Sequence, residues 1–381
     1  MNIEEAHASI EEQMLAQADS VGELLEQFKS RIPPALIDGA GWDRLVERSS
    51  RLPISLATSG FGFELRLHEA EPRADLGLAL LRGSLSAAHF EEWSRSRPEE
   101  MSAKAVVSLF HEMGREGTAM HRIADTKLLF EYDIDPAHPG PLPDPGIFLY
   151  PTADAPTDPG LAQVPEDLCV IADAVVAACG WAPDSAVRRH AEQLFRAMPS
   201  GVQIGAVGGF PDRRRALRVA ITGIRNSHEL ISVLERAGWP GQPEAFAPFI
   251  GDLEARGAFA HLAAHLDIDG GGVRSELGVS CYAQDAQWVK DIEPWMGVID
   301  GLRATELVVP EKLSALAESW AGAETVFGRR GMLLVVRGIH HFKMALVGDR
   351  FEEVKAYVFC LVFPPLLVSD AADAPAKPAD C

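Results

Sequence analysis

The chain has 381 residues, 47% of them hydrophobic, and a formal charge of −20. That is enough apolar side chain for one large core, and too much negative charge for a phosphate-backbone surface without a concentrated basic stripe. The only dense basic run, Arg213 to Arg215 beside Pro211 and Asp212, reads as an exposed turn, so nucleic acid is excluded as a partner. Five scattered cysteines (Cys169, Cys179, Cys281, Cys360, Cys381) with no CxxC pair exclude a disulfide framework and a structural zinc site, and suit a reducing cytoplasm. No run of about eighteen apolar residues occurs, so no membrane span is expected.

In chain order, residues 4–30 carry apolar side chains at helical spacing (Ile10, Met14, Leu24, Leu25, Phe28), which reads as a helix rather than a signal peptide. A second short helix is expected near 40–50. The period then changes to two: LPISLAT (52–58) and FELRLHE (63–69) predict a first hairpin about a Gly-containing turn. Helical spacing returns over 73–118. KLLFEYDID (127–135) and GIFLYP (146–151) predict a second hairpin, split by the Pro-rich PAHPGPLPDP. Helices are expected over 165–197, and a third hairpin over 202–209 and 215–223. Further helices over 227–256 lead to a fourth hairpin, 258–269 and 274–282. Helices over 285–320 precede the fifth, 332–348 and 352–363. The last residues, SDAADAPAKPADC, predict a disordered tail over 369–381 after a single domain of 1–368.

Helices followed by a hairpin, five times at roughly 70-residue intervals, is an architectural repeat. Adjacent strands joined by short turns are antiparallel, not βαβ. The predicted fold class is therefore α/β, a ten-stranded antiparallel β-barrel of five ββ hairpins surrounded by helices. Closure removes the sheet edges, and ten strands enclose a chamber. Alternation assigns the faces: Leu65, Phe130, Leu266 and Phe342 outward, and Glu64, Arg66, Glu131, Asp133, His265, Glu276, Lys343, Lys355 and Tyr357 inward.

Several motifs have plain readings. His261 and His265 lie about 13 Å apart along a strand, too far for one metal ion, so no metal is expected. Of the neighbours His340 and His341, alternation puts His341 inward beside Lys343, as an acid/base candidate, and His340 under the helices. DGGG (269–272) is a hairpin turn, and GAVGG (205–209) ends a strand, so neither is a nucleotide loop. No cofactor is implied.

The first-hairpin segment PISLA (53–57), followed by Arg66 eleven residues after Ser55 and by Glu71–Pro72, resembles a P-x-E-x-S…R…E-P pattern with Ser55 in the glutamate's place. RVAIT (218–222) resembles R-V-K-I-Y with Arg218 kept. GIFLYP resembles K-A-Y-F-x-P without its lysine and tyrosine, and the last hairpin supplies Lys343, Lys355 and Tyr357. With the architecture, these make the chain similar to the ABBA, or PT-barrel, aromatic prenyltransferases of the dimethylallyltryptophan synthase type. The resemblance implies natural-product biosynthesis, with an allylic diphosphate donor and an aromatic or peptide acceptor as partners. It implies a diphosphate held by Arg66, Arg218, Lys343, Lys355 and Tyr357, with Ser55 at the catalytic glutamate's position. Apart from the resemblance, the inward faces offer Glu131, Glu276 and His341 as catalytic groups and His265 and Asp133 as substrate contacts, the working groups of an acid/base reading. Two other readings stay open: a PT barrel working by acid/base chemistry on another substrate, or a barrel that only binds a ligand.

Overall fold

The computed structural model describes residues 3–97, 101–134, 144–151, 163–283 and 290–363. The predicted tail and most of the Pro-rich connection of the second hairpin lie outside these residues.

Eleven strands form one antiparallel sheet: β1 (Phe61–Arg66), β2 (Ala74–Leu81), β3 (Ala124–Tyr132), β4 (Gly146–Pro151), β5 (Gln203–Gly209), β6 (Leu217–Ile224), β7 (His261–Asp269), β8 (Gly272–Tyr282), β9 (Gly322–Gly328), β10 (Gly331–Val347) and β11 (Arg350–Phe363). Each of β1 to β7 pairs with its successor. β8 pairs with β10, β10 with β11, and β11 returns to β1 with Phe61 opposite Cys360 and Arg66 opposite Lys355. This closes a ten-stranded barrel. β9 stands outside the ring, on the half of β10 (Gly331–Arg337) that runs beyond β8.

The barrel confirms the predicted class and corrects its first hairpin. Residues 54–57 form a one-turn 3₁₀ helix, not a strand, and the first hairpin is β1 with β2. β2 falls inside a stretch whose leucines suggest a helix. Leu76, Leu78 and Leu80 are buried at spacing two, and Gly77 sits between the first pair. β9 also falls where no strand is expected. Its pattern is short and its Phe327 is 80% exposed, so no buried face announces it.

The outer face of the barrel supplies the core. Phe63 of β1 meets Trp42 at 5.9 Å and Trp320 at 6.2 Å between ring centres, tying two helices to one strand. Trp320 donates its indole N–H to the Gly338 carbonyl at 2.9 Å, so its polar atom is satisfied on burial. The inner face favours small residues where large neighbours cross. A Cβ at Gly208 would lie 2.2 Å from the Phe148 ring, and one at Gly146 would lie 2.4 Å from Phe210.

Phe63→Ala removes a 2%-exposed ring shared by two helices. We expect it to lower the unfolding free energy by ~3–5 kcal/mol, measured as a drop in the denaturant midpoint with an unchanged slope.

Candidate active site

Alternation along the strands delivers two rows of inward side chains, one above the other. In the upper row Arg66 of β1 stands opposite Lys355 of β11, which stands opposite Lys343 of β10. In the lower row Asp75 of β2 is opposite Glu64 of β1, Glu64 is opposite Tyr357 of β11, and Tyr357 is opposite His341 of β10. The upper row opens into a chamber of about 410 Å³, lined also by Arg73, Asp133, Arg213, Arg218, His265, Asp267, Glu276 and Glu353.

The cations of the chamber are already engaged. Arg66 grips Asp75 through two nitrogens at 2.8 and 2.6 Å, and Arg218 grips Asp267 at 2.8 and 2.9 Å. Arg213 pairs with Asp133, with one contact at 2.7 Å, and lies 3.7 Å above the Phe210 ring. Arg73 pairs with Glu69, and Lys355 bridges Glu64 at 2.9 Å and Glu353 at 3.1 Å. Such pairing is what a partly dry cavity demands, because an unpaired buried charge costs several kcal/mol.

Two groups depart from this rule. Among the described residues no carboxylate lies within ion-pair reach of Lys343, and no cation within ion-pair reach of Glu131. Burial, followed by the nearby Arg218, brings the Lys343 amine down to about 8. Burial and then the charge of Glu64 push the Glu131 carboxyl above its ordinary value. Glu64 goes the other way. Burial opposes its charge, but Lys355, Arg66 and the hydroxyl that Tyr357 donates to it together hold the carboxyl well below the usual range.

The lower row continues as a stack of rings. Tyr357 stacks on His341 at 4.2 Å, His341 on Tyr282 at 5.1 Å, and Tyr282 on His261 at 4.6 Å. His340 joins this cluster, correcting its expected place under the helices. A bulge between Ile339 and His341 breaks the alternation, so both histidines reach Tyr282. Their Nδ1 atoms lie 2.7 Å apart, so one donates and the other accepts. Burial, with Lys127 and His261, lowers His340 to about 4. Burial, with His340 and Lys343, holds His341 well below its ordinary value. Tyr357, His341, Tyr282 and His340 are thus uncharged at neutral pH.

The other sequence candidates are placed as follows. His265 faces the chamber, donating or accepting at Ser280 Oγ over 2.8 Å, and burial together with Lys343 keeps it neutral. Glu276 lies at the mouth, half exposed, on Arg274. Ser55 is fully buried in the 3₁₀ turn ahead of β1, not on a strand, and its hydroxyl has no hydrogen-bond partner among the described residues. Sequence reasoning missed Asp75, Arg73, Glu353 and Tyr282 as site residues. Arg213 lies in an exposed turn as expected, and from there it reaches over the mouth to Asp133. Among the described residues no cluster of His, Cys, Asp and Glu could hold a metal ion, and no helix is long and apolar enough to cross a membrane.

No protein-family model matches the chain, and no curated protein matches it by sequence. Solved structures do. The apo form of the prenyltransferase PriB superposes with a TM-score of 0.50 at 14% identity, covering 92% of this chain and 95% of PriB. PriB in ternary complex with L-tryptophan and dimethylallyl thiolodiphosphate gives 0.50 at 13% identity over the same shares. This chain has the PT-barrel, or ABBA, fold. A 5-dimethylallyltryptophan synthase from Streptomyces coelicolor also matches, with a TM-score of 0.48 at 15% identity, covering 89% of this chain and 97% of that one. At such identities the likeness describes the barrel, and the chemistry must be argued from the side chains of this chain.

The neutral histidines make a pH prediction. His340 binds a proton in the unfolded chain below about pH 6.5 but not in the fold until about pH 4. The unfolded state then holds more protons, so stability falls as pH drops through that window, by at most ~3 kcal/mol for this group. Glu131 and Asp75, whose carboxyls are raised first by burial, act in the opposite sense. The check is therefore a difference: the pH slope of the urea midpoint between 6.5 and 4.5 is expected to be shallower in His340→Gln than in the unmodified protein.

Proposed function

We propose that this PT barrel transfers an allylic group from a diphosphate donor to an electron-rich acceptor, an indole, phenol or peptide side chain. The observation that carries the proposal is the two-row arrangement: Arg66, Lys355 and Lys343 side by side around the chamber, directly above the Tyr357–His341–Tyr282 stack. Cations above receive the departing diphosphate and lower the cost of ionising the carbon–oxygen bond. Neutral rings below border the allylic cation without quenching it, and ring quadrupoles favour it. Glu131, which feels the charges of Lys343 and Arg218, and the neutral His341 are our candidates to take up the proton lost when the acceptor ring regains aromaticity. That PriB was solved with dimethylallyl thiolodiphosphate and L-tryptophan supports this class of partners.

A second reading rests on the ion pairs. Arg66, Arg73, Arg213, Arg218 and Lys355 each carry a carboxylate partner, so a diphosphate entering the chamber meets little net positive charge. A barrel with, among the described residues, an unpaired carboxyl (Glu131) and an unpaired amine (Lys343) is equally suited to acid/base chemistry on an uncharged or zwitterionic substrate.

Calorimetric titration with dimethylallyl thiolodiphosphate separates the two. Under prenyl transfer we expect saturable binding. Arg66→Ala and Lys355→Ala each weaken it by ~1.5–3 kcal/mol, the value of a charge-assisted contact. Asp267→Asn frees the Arg218 guanidinium and tightens binding by about tenfold, or ~1.4 kcal/mol. Flat heats at millimolar ligand, with and without Mg²⁺, would retire prenyl transfer in favour of the second reading.

A further inference from the structure

Lys343 stands apart from the other lysines. Lys355 is held by Glu64 and Glu353, and Lys312 donates to the carbonyls of Arg66 at 2.8 Å and Glu71 at 2.5 Å. Lys343 has no such partner among the described residues, yet the fold makes a place for it. Its stem lies across Gly278 of β8, where a Cβ would come within 2.6 Å of Lys343 Cε. Gly278 has no positive φ, so its backbone alone does not call for glycine there. The missing side chain gives the lysine its bed, and Nζ lies 5.9 Å from the centre of the Tyr357 ring.

Charged and titratable groups face this amine from the neighbouring strands: Arg218 from β6, His265 and the Asp267 carboxylate (already gripped by Arg218) from β7, Lys355 from β11, the carboxyls of Glu131 from β3 and Glu64 from β1, and His341 on its own strand. The cations disfavour a second positive charge, and Glu64 is already spent on Lys355 and Tyr357. Burial and Arg218 therefore leave much of the amine unprotonated near pH 8. A desolvated amine among other cations is the arrangement that makes lysine a nucleophile toward carbonyl carbon.

We propose that Lys343 is a covalent capture site, whose amine condenses reversibly with the carbonyl of a small aldehyde or ketone that carries an anionic group. The nitrogen lone pair forms a bond to the carbonyl carbon, and a proton passes from nitrogen to the former carbonyl oxygen. The carbon–oxygen bond of this carbinolamine then breaks, the oxygen taking a proton from Glu131 and leaving as water. The imine nitrogen keeps its remaining proton until Glu131 takes it back. One water is released and nothing is oxidised or reduced. Glu131 suits the donor's part because burial and the charge of Glu64 favour its protonated form. Arg213, whose side chain is 40% exposed at the mouth, meets the anionic group as it enters. The proposal does not depend on prenyl transfer and uses no diphosphate.

The probe is pyridoxal 5′-phosphate, trapped with borohydride at pH 8 and followed by peptide mapping across the eight lysines of the chain. With amines near 8 and near 10.5, the neutral fraction at that pH differs roughly a hundredfold. We expect one label per chain on Lys343, formed at least that much faster than on Lys29, whose amine is raised by its bond to the Asp43 carboxylate. Lys343→Arg should remove it, and Glu131→Gln should slow its formation. Lys312 is the internal control, since burial brings its amine to about 8 as well, but both carbonyls hold it. Labelling of Lys312 as fast as Lys343, or label spread over surface lysines with Lys343 unmodified, would overturn the assignment. Equal labelling by pyridoxal without the phosphate would overturn the anionic requirement. The map of the unmodified protein decides the main point even if a variant fails to fold.

Discussion

Closing ten strands into a ring puts half of every strand's side chains where bulk water does not reach freely. An open sheet could leave Arg66, Arg218 and Asp267 solvated at little cost, but a closed one cannot. Each inward charge must meet an opposite charge, neutralise itself, or face the remaining opening. The Arg66–Asp75 and Arg218–Asp267 forks follow from that constraint, and so does the string Lys355–Glu64–Tyr357. Buried pairs of this kind add little net stability over apolar residues, but each costs several kcal/mol to break from one side. The acidic composition therefore has a role beyond solubility, since part of it is the inner counter-charge of a basic chamber.

Strand pairing decides which charges meet. Arg218 and Asp267 are direct cross-strand partners, as are Glu64 and Tyr357. Register thus sets the electrostatics, and a slip of one residue would turn every inward group toward the helices. The same registration aligns rings from four strands into one stack, from Tyr357 on β11 to His261 on β7. Parallel rings at 4–5 Å are held by the spacing of adjacent strands, about 4.8 Å. The stack is a consequence of having aromatic residues at one level of a barrel. Burial disfavours a charged imidazolium in it, which keeps His340 and His341 in their neutral forms.

The barrel was legible in the sequence because its evidence is periodic and repeated. Period-two runs such as AHLAAHLDID (260–269) mark a strand and its faces together, and β7 presents Leu262 outward and His265 inward as alternation predicts. Legibility failed where local signals conflict with tertiary ones. PISLA is apolar and opens on Pro53, which fits a strand end as well as the 3₁₀ turn that Ile54–Ala57 form. In ADLGLALL the leucines are dense enough for a helix, and only pairing to β1 and β3 decides. Asp75 was lost with that strand. His340 was lost because a bulge leaves no trace in residue types. Arg213 sits in a turn whose composition says only that it is polar, and its reach back to Asp133 is a property of the closed ring.

Net charge and local charge lead to different expectations about the chamber, and the local arrangement decides. Counting formal charges suggests a chamber hostile to anions. Yet Glu64, Asp75, Asp133 and Asp267 are each spent on a named cation, while Glu131 is driven toward its neutral form. What an incoming ligand meets is a set of oriented ion pairs with one unclaimed amine among them. Ion pairs can rotate toward a stronger anion, because a guanidinium has five donors and a carboxylate occupies only two. An amine without a partner has no such bond to give up, so it contributes its full interaction to whatever enters. Under the binding roles proposed above, ligand selection would turn on Lys343 first and on the arginines second. Gly278, which carries no chemistry of its own, is what lets that lysine lie where it does.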